Sequence, residues 1–228
     1  MEILIKMTTP EKNIVFKSYI GSYMYGANDE MSDFDFIEIH KPPKSEWLFP
    51  YYVAGFDDLK QNSRQTINKE LNTDVTEHNI IKFIKLCSMS SVNCLEVLFC
   101  PSNKIIHMSE EFYPFREKSE LFLSKQCYTK FKEFAKNTNK TSQTNNQSRY
   151  HSIRLLYQLK DILQNRTMRL DANSTVLKEY KYGHKTYEEY QQHYDNLIYD
   201  VDNLYETTKI PEIIDISLVR DLLIRSLY

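Results

Sequence analysis

Residues 21–39 read GSYMYGANDEMSDFDFIEI, and the fold turns on how that stretch divides. Its second half, Asp33-Phe34-Asp35-Phe36-Ile37-Glu38-Ile39, alternates polar and apolar residues as a strand does. Ahead of it lies the polar stretch Asn28-Asp29-Glu30, and ahead of that Gly21-Ser22 with Gly26 close behind. Upstream, the apolar run Ile14-Val15-Phe16-Lys17-Ser18-Tyr19-Ile20 stops at Gly21. The skeleton is strand, glycine turn, short polar connection and strand, closed by Pro42-Pro43.

Two residues apart on a strand, Asp33 and Asp35 point to one face. Neighbouring carboxylates repel unless a cation sits between them. Mg²⁺ suits that place, because it takes oxygen ligands and accepts one or two carboxylates together with substrate phosphates. A glycine turn lets backbone approach a phosphate, and Ser22 adds a hydroxyl. Each feature has an ordinary alternative: a solvated strand edge for the aspartates, a plain turn for Gly-Ser. Both flanking one short connection is a much less common coincidence.

Further along, Leu71-Asn72-Thr73-Asp74-Val75-Thr76 is a candidate third strand with Asn72, Asp74 and Thr76 on one face. It follows a loop rich in aromatics and charge from Trp47 to Lys60. Ile80, Ile81, Phe83, Ile84, Leu86 and Cys87 fall at helical spacing, so a helix is predicted from near His78. The apolar run Cys94 to Phe99 ends before Pro101. Beyond residue 110 helical stripes dominate: Tyr128, Phe131 and Ala135; then Ile153 to Leu163; then Tyr190 to Tyr205; then Ile216 to Leu223. The polar segment NTNKTSQTNNQS at 137–148 is expected to be a mobile loop. The fold class is α+β. A small mixed-sheet catalytic core over 1–108 precedes a helical subdomain over 109–228.

Across its 228 residues the chain is 41% hydrophobic, which excludes a disordered polymer, and it has no apolar window long enough for a membrane span. The opening MEILIKMTTPEK lacks the length and flanks of a signal peptide. Cys87, Cys94, Cys100 and Cys127 form no CxxC pair, so buried reduced thiols and a cytoplasmic location are expected. The net charge of -2 hides an asymmetry. Residues 125–170 hold ten Lys/Arg against two Asp/Glu, and residues 171–215 hold four against ten. Such a basic block is either a polyanion-binding face or a set of solvated helix faces. Most of the 17 tyrosines and 12 phenylalanines sit at core spacing; Tyr23 and Tyr25, beside the glycine turn, are the candidates for nucleobase contact.

The stretch 21–39 resembles the glycine-serine, spacer, Asp-x-Asp signature of the DNA polymerase beta superfamily of nucleotidyltransferases, in its bacterial and phage branch. The resemblance extends through Asp74-Val75, Ile80 to Leu86, Leu95 to Phe99, Arg149 to Leu156, Gly183 to Glu189 and Lys209 to Pro211. The chain departs from the pattern at Ser90-Ser91-Val92-Asn93, where a Gly-Asn-Pro turn is usual. The resemblance implies three metal-binding, catalytic carboxylates: Asp33, Asp35 and, on the next strand, Asp74, with Glu77 as the fallback. Mg²⁺ or Mn²⁺ would be the cofactor and an NTP the substrate. Gly21, Ser22, Tyr25, Lys82, His151 and Arg154 are the nucleotide-binding candidates. Lys82 has a solvated helix lysine as its alternative; for His151 and Arg154, three apart on one helix face, it is packing against the sheet. Glu96, inside an apolar run, reads as a buried partner for Lys or Arg. Transfer of an NMP onto a hydroxyl, with RNA or a tRNA end as acceptor, is the leading function. A protein-modifying (NMPylating) enzyme of the same site and a non-catalytic nucleotide- or RNA-binding module are the alternatives.

Overall fold

Alternation in the 33–39 stretch builds the central strand of the sheet. The structure, a computed structural model, describes residues 14–41, 63–68 and 73–227. The loop expected over 47–60, the Pro42-Pro43 stop, the opening MEILIKMTTPEK segment and Leu71-Asn72 lie outside the described residues.

The described strands are β1 (Ile14–Tyr19), β2 (Phe34–His40), β3 (Ser63–Asn68), β4 (Thr73–Asn79) and β5 (Ile105–Met108), in the order β3-β4-β2-β1-β5. Only β2 and β4 run parallel, and their register sets Asp35 beside Asp74 and Glu38 beside Glu77. The other pairs are antiparallel. A one-turn helix, α1 (Gly21–Met24), fills the turn after β1. Next come α2 (Ile80–Ser88) and α3 (Val92–Leu98), then α4 (Tyr113–Glu117), α5 (Gln126–Asn139), α6 (Asn146–Asn165), α7 (Ser174–Lys181), α8 (Tyr187–Thr207) and α9 (Ile216–Leu227). The mixed sheet followed by helices is the α+β architecture that the sequence predicts.

Local chemistry sets the boundaries. Helix α2 starts at Ile80, slightly after the predicted position, because the Asn79 side chain caps it by accepting from Ile81 N at 2.8 Å. Thr186 and Glu189 form a reciprocal capping box on α8. One buried cluster runs from Val15 to Leu227, across the expected boundary at 108/109. Phe112, just past that boundary, stacks on Phe16 of β1 with centroids 4.4 Å apart.

One expectation is corrected, and one asymmetry gains a partial explanation. Half of the 137–148 segment is helical: α5 continues to Asn139, α6 begins at Asn146, and only residues 140–145 form the turn between them. Its polar side chains are structural partners. Asn145 caps α6, Asn139 accepts from Tyr190 and Ser142, and the Ser142 carbonyl accepts from Arg149 Nε at 2.7 Å. Five of the ten Lys/Arg in the basic block of 125–170 form ion pairs within the chain. Lys125 pairs with Glu212, Lys132 with Asp202, Lys160 with Asp200, Arg169 with Asp161 and Arg154 with Glu96. Three of these partners lie in the acidic block that follows, so much of the asymmetry is complementarity between α5, α6 and the chain after them.

Candidate active site

The site forms where β1 ends. Ile20 N donates to the Asp35 carbonyl at 2.9 Å, which ties the turn to β2. Gly21 then takes φ +61, and a Cβ there would lie 2.6 Å from Asp35 Oδ2. Glycine is therefore required by both backbone and space. The turn and the first aspartate pair share one surface.

Two cavities meet at Gly21, Asp35 and His151. One, of about 440 Å³, includes Asp74, Gln65, His78, Tyr25, Glu96 and Arg154 in its wall. The other, of about 420 Å³, includes Ser22, Asp33, Asp29, Gln147 and Lys181. Asp33 and Asp35 open onto the same cleft, and Asp74 joins them from the parallel neighbour strand. Burial raises the Asp35 pKa, and the Asp74 and Asp33 carboxylates raise it further. Asp74 Oδ2 accepts from Gln65 Nε2 at 2.6 Å, while Asp74 Oδ1 is buried without a hydrogen bond among the described residues. Crowded carboxylates with one orphaned oxygen fit a divalent cation, which takes oxygen ligands and removes the repulsion.

Glu77 is not in this group. It is three residues beyond Asp74 on β4, so pleating turns it to the opposite sheet face. There it lies within 4.8 Å of Glu38 and His40, with Glu38 also 2.7 Å from Lys17 Nζ. Geometry thus leaves Asp74 as the carboxylate beside Asp35.

The remaining candidates separate. Ser22 lines the cavity with Asp33 and Asp35. His151 sits at the junction of both cavities, and burial, with Arg154 and Lys181 nearby, lowers its pKa to about 4. Its imidazole is neutral at pH 7. Lys82 lies near enough to His78 and Cys94 to bias both, but it is not part of either cavity wall. Arg154 and Tyr25 are engaged elsewhere. Arg154 pairs with Glu96 and donates to the Tyr25 hydroxyl at 2.8 Å, and Tyr25 donates to Glu96 Oε2 at 2.6 Å. Burial works against the Arg154 charge, but Glu96, Tyr25 and Tyr150 outweigh it and raise its pKa. This closed triad forms one wall of the cleft, and Glu96 is the buried partner that its apolar setting suggested.

Lys181 and Gln147 were missed by the sequence reading. Lys181 Nζ donates to the Ala27 carbonyl at 3.0 Å and reaches Ser32 Oγ at 3.4 Å, fastening α7 to the connection before Asp33. Burial lowers its pKa, against the pull of Asp29 and Asp33. One of two lysines in the last turn of an amphipathic helix gives no signal of this in sequence.

Parallel strands that each bring an aspartate to the mouth of a glycine turn define the class, the polymerase beta-like nucleotidyltransferase superfamily. Within it, the model of the RNA repair pathway DNA polymerase beta family, RlaP, matches residues 3–214, and the chain belongs to that family. The chain is also 30% identical over 92 residues to an uncharacterized 38.9 kDa protein in the nrdC–mobD intergenic region of Enterobacteria phage T4. That match covers 40% of this chain and 27% of the phage protein, so the chain spans about a quarter of that relative. Among the described residues no helix is long and apolar enough to cross a membrane.

Proposed function

We propose that the protein transfers an NMP from an NTP to a hydroxyl of RNA, dependent on Mg²⁺ or Mn²⁺. The observation that carries this is the buried, unpartnered Asp74 Oδ1 set beside Asp35 on parallel strands, with Asp33 on the same cleft. Asp33, Asp35 and Asp74 would hold the cation, which supplies charge neutralisation for the triphosphate and for the attacking and leaving oxygens of an in-line displacement. Gly21 and Ser22 receive the β- and γ-phosphates in the turn, and Lys181 adds a positive charge to the wall of the same cavity. Gln65 holds Asp74 by Oδ2, and Oδ1, buried without a hydrogen bond among the described residues, is the atom that would accept the acceptor's hydroxyl proton. The acceptor oxygen forms a bond to the α-phosphorus as the bridge to the β-phosphate breaks, and pyrophosphate leaves. Neutral His151 and the Arg154–Glu96–Tyr25 triad shape the wall and orient substrate.

Residues 1–108 act as the catalytic core and 109–228 as the helical part that walls its cleft. Four buried free thiols suit a reducing cytosol. RNA as acceptor rests on the family, whose description is an RNA repair pathway. The test compares Asp74→Asn with Glu77→Gln, carboxylates on the same strand but opposite faces, in transfer of α-labelled NTP to RNA. Asp74→Asn should abolish transfer and Glu77→Gln should retain it. Equal loss in both, or activity in Asp74→Asn, would remove Asp74 from the site.

A further inference from the structure

The strand that bears Asp35 carries a different chemistry on its other side. Phe34 precedes Asp35 on β2, so pleating turns its ring to the face opposite the Asp35 carboxylate. That ring is 38% exposed and stacks on Tyr23, with centroids 4.8 Å apart and planes 25° from parallel. Tyr23 in turn stacks on Tyr19 at 5.4 Å and 24°, and Tyr19 leans on Phe36 at 5.1 Å. Tyr23 and Tyr19 are partly exposed; Phe36 is the buried base of the group. Lys17 Nζ lies 5.5 Å from the Phe36 ring centroid.

Apolar rings normally turn inward on a half-exposed strand end, and Phe34 does the reverse at the lip of a charged cleft. Tyr19 also leans on Phe34, with centroids 6.4 Å apart and planes at 46°, so the three rings close into one aromatic cluster around Tyr23. Partly exposed aromatic rings of this kind are what unpaired bases stack on. Phe34 and Asp35 are neighbours on β2, so the cluster lies on the face opposite the Asp35 carboxylate. A strand whose terminal hydroxyl sits at Asp74 would pass over this lip, with the preceding bases beside the rings.

We propose that Tyr19, Tyr23 and Phe34 form a stacking platform for the bases next to the reacting end of a single-stranded RNA. This rests on the nucleotidyl-transfer reading for its orientation, and it makes the acceptor an unpaired end, because paired bases do not present their faces. Stacking is sequence-tolerant, so the platform selects strandedness and not sequence. The platform residues hold the acceptor; they are positioning residues and touch neither triphosphate nor cation.

The experiment is fluorescence anisotropy with a short fluorescein-labelled oligoadenylate, single-stranded and annealed to its complement, with no NTP present. Wild type should bind the single strand far more tightly than the duplex. Phe34→Ala and Tyr23→Ala should each weaken single-strand binding about tenfold, which is about 1.4 kcal/mol, while Tyr23→Phe keeps the ring and the affinity. The melting-temperature shift with Mg²⁺ and ATP should be unchanged in Phe34→Ala, showing the cleft intact. Wild-type affinity in both alanine variants, no single-strand binding by wild type, or equal loss in Tyr23→Phe overturns the platform. Loss of RNA binding in the alanine variants, with no label transferred by wild type, would remove the transfer reading and leave the platform standing. Transfer to RNA with an unchanged RNA KM in both alanine variants would do the opposite.

Discussion

Gly21→Ala probes the contact on which the site depends. A Cβ at this position meets Asp35 Oδ2 at 2.6 Å, whereas ordinary van der Waals contact begins at 3.4 Å, so the carboxylate must retreat by about 0.8 Å. The backbone adds its own cost, since φ +61 is left-handed and an L side chain there costs about 1–2 kcal/mol. In a chain of this length each kcal/mol lowers the melting temperature by about 2–4 °C. Displacing a reacting group by about 1 Å costs on the order of a hundredfold in rate. Gly26→Ala is the matched control: its φ is +64, and its new Cβ would meet Ser174 Cβ at 3.2 Å, away from the carboxylates. Both variants should lose comparable stability. Only Gly21→Ala should lose about a hundredfold in turnover, measured as label transferred per minute well below either melting temperature. Equal activity losses in the two, or full activity in Gly21→Ala, would refute the claim that Gly21 exists to admit the Asp35 carboxylate.

Other outcomes follow from the same geometry. Removing one partner of the buried Arg154–Glu96 pair strands a charge, so Arg154→Met should cost about 3–5 kcal/mol in urea denaturation. Arg154→Met combined with Glu96→Leu should recover much of that loss, and a double variant less stable than either single would contradict the reading. His151 takes a proton at about 4 when folded and near 6.5 when unfolded, so the unfolded chain binds it more readily. Stability should therefore be fully present above about pH 6.5 and fall as pH drops toward 4, with a shallower fall in His151→Gln; identical pH profiles would show that His151 is not held neutral. Chelation with EDTA should stop transfer, and Mg²⁺ or Mn²⁺ should restore it; transfer that persists after exhaustive chelation would exclude the cation role of Asp33, Asp35 and Asp74.

What could be read from sequence was what local periodicity or spacing encodes. Alternation marked β2, the Gly21 break ended β1, and the stripe from Ile80 to Cys87 marked α2. Strand β3, Ser-Arg-Gln-Thr-Ile-Asn, was not anticipated, because its alternation is faint and it is defined by pairing to β4. The 137–148 segment misled because Asn, Ser and Thr favour loops when free but serve equally as helix caps and hydrogen-bond partners. Asp33, Asp35 and Ser22 were visible as a motif. The capture of Tyr25 and Arg154 by Glu96 was not, since it joins residues 71 and 58 positions apart. Lys181 and Gln65 enter the cleft by the same kind of long-range packing, which a single sequence does not encode locally.

The most direct measurement is paired incubation of the protein and single-stranded RNA with α-labelled and γ-labelled NTP in Mg²⁺, beside Asp35→Asn. The account predicts α-label on the RNA and γ-label in pyrophosphate with wild type, and neither with Asp35→Asn. γ-Label on the RNA, or γ-label released as orthophosphate with no α-label transferred, would contradict nucleotidyl transfer at this site.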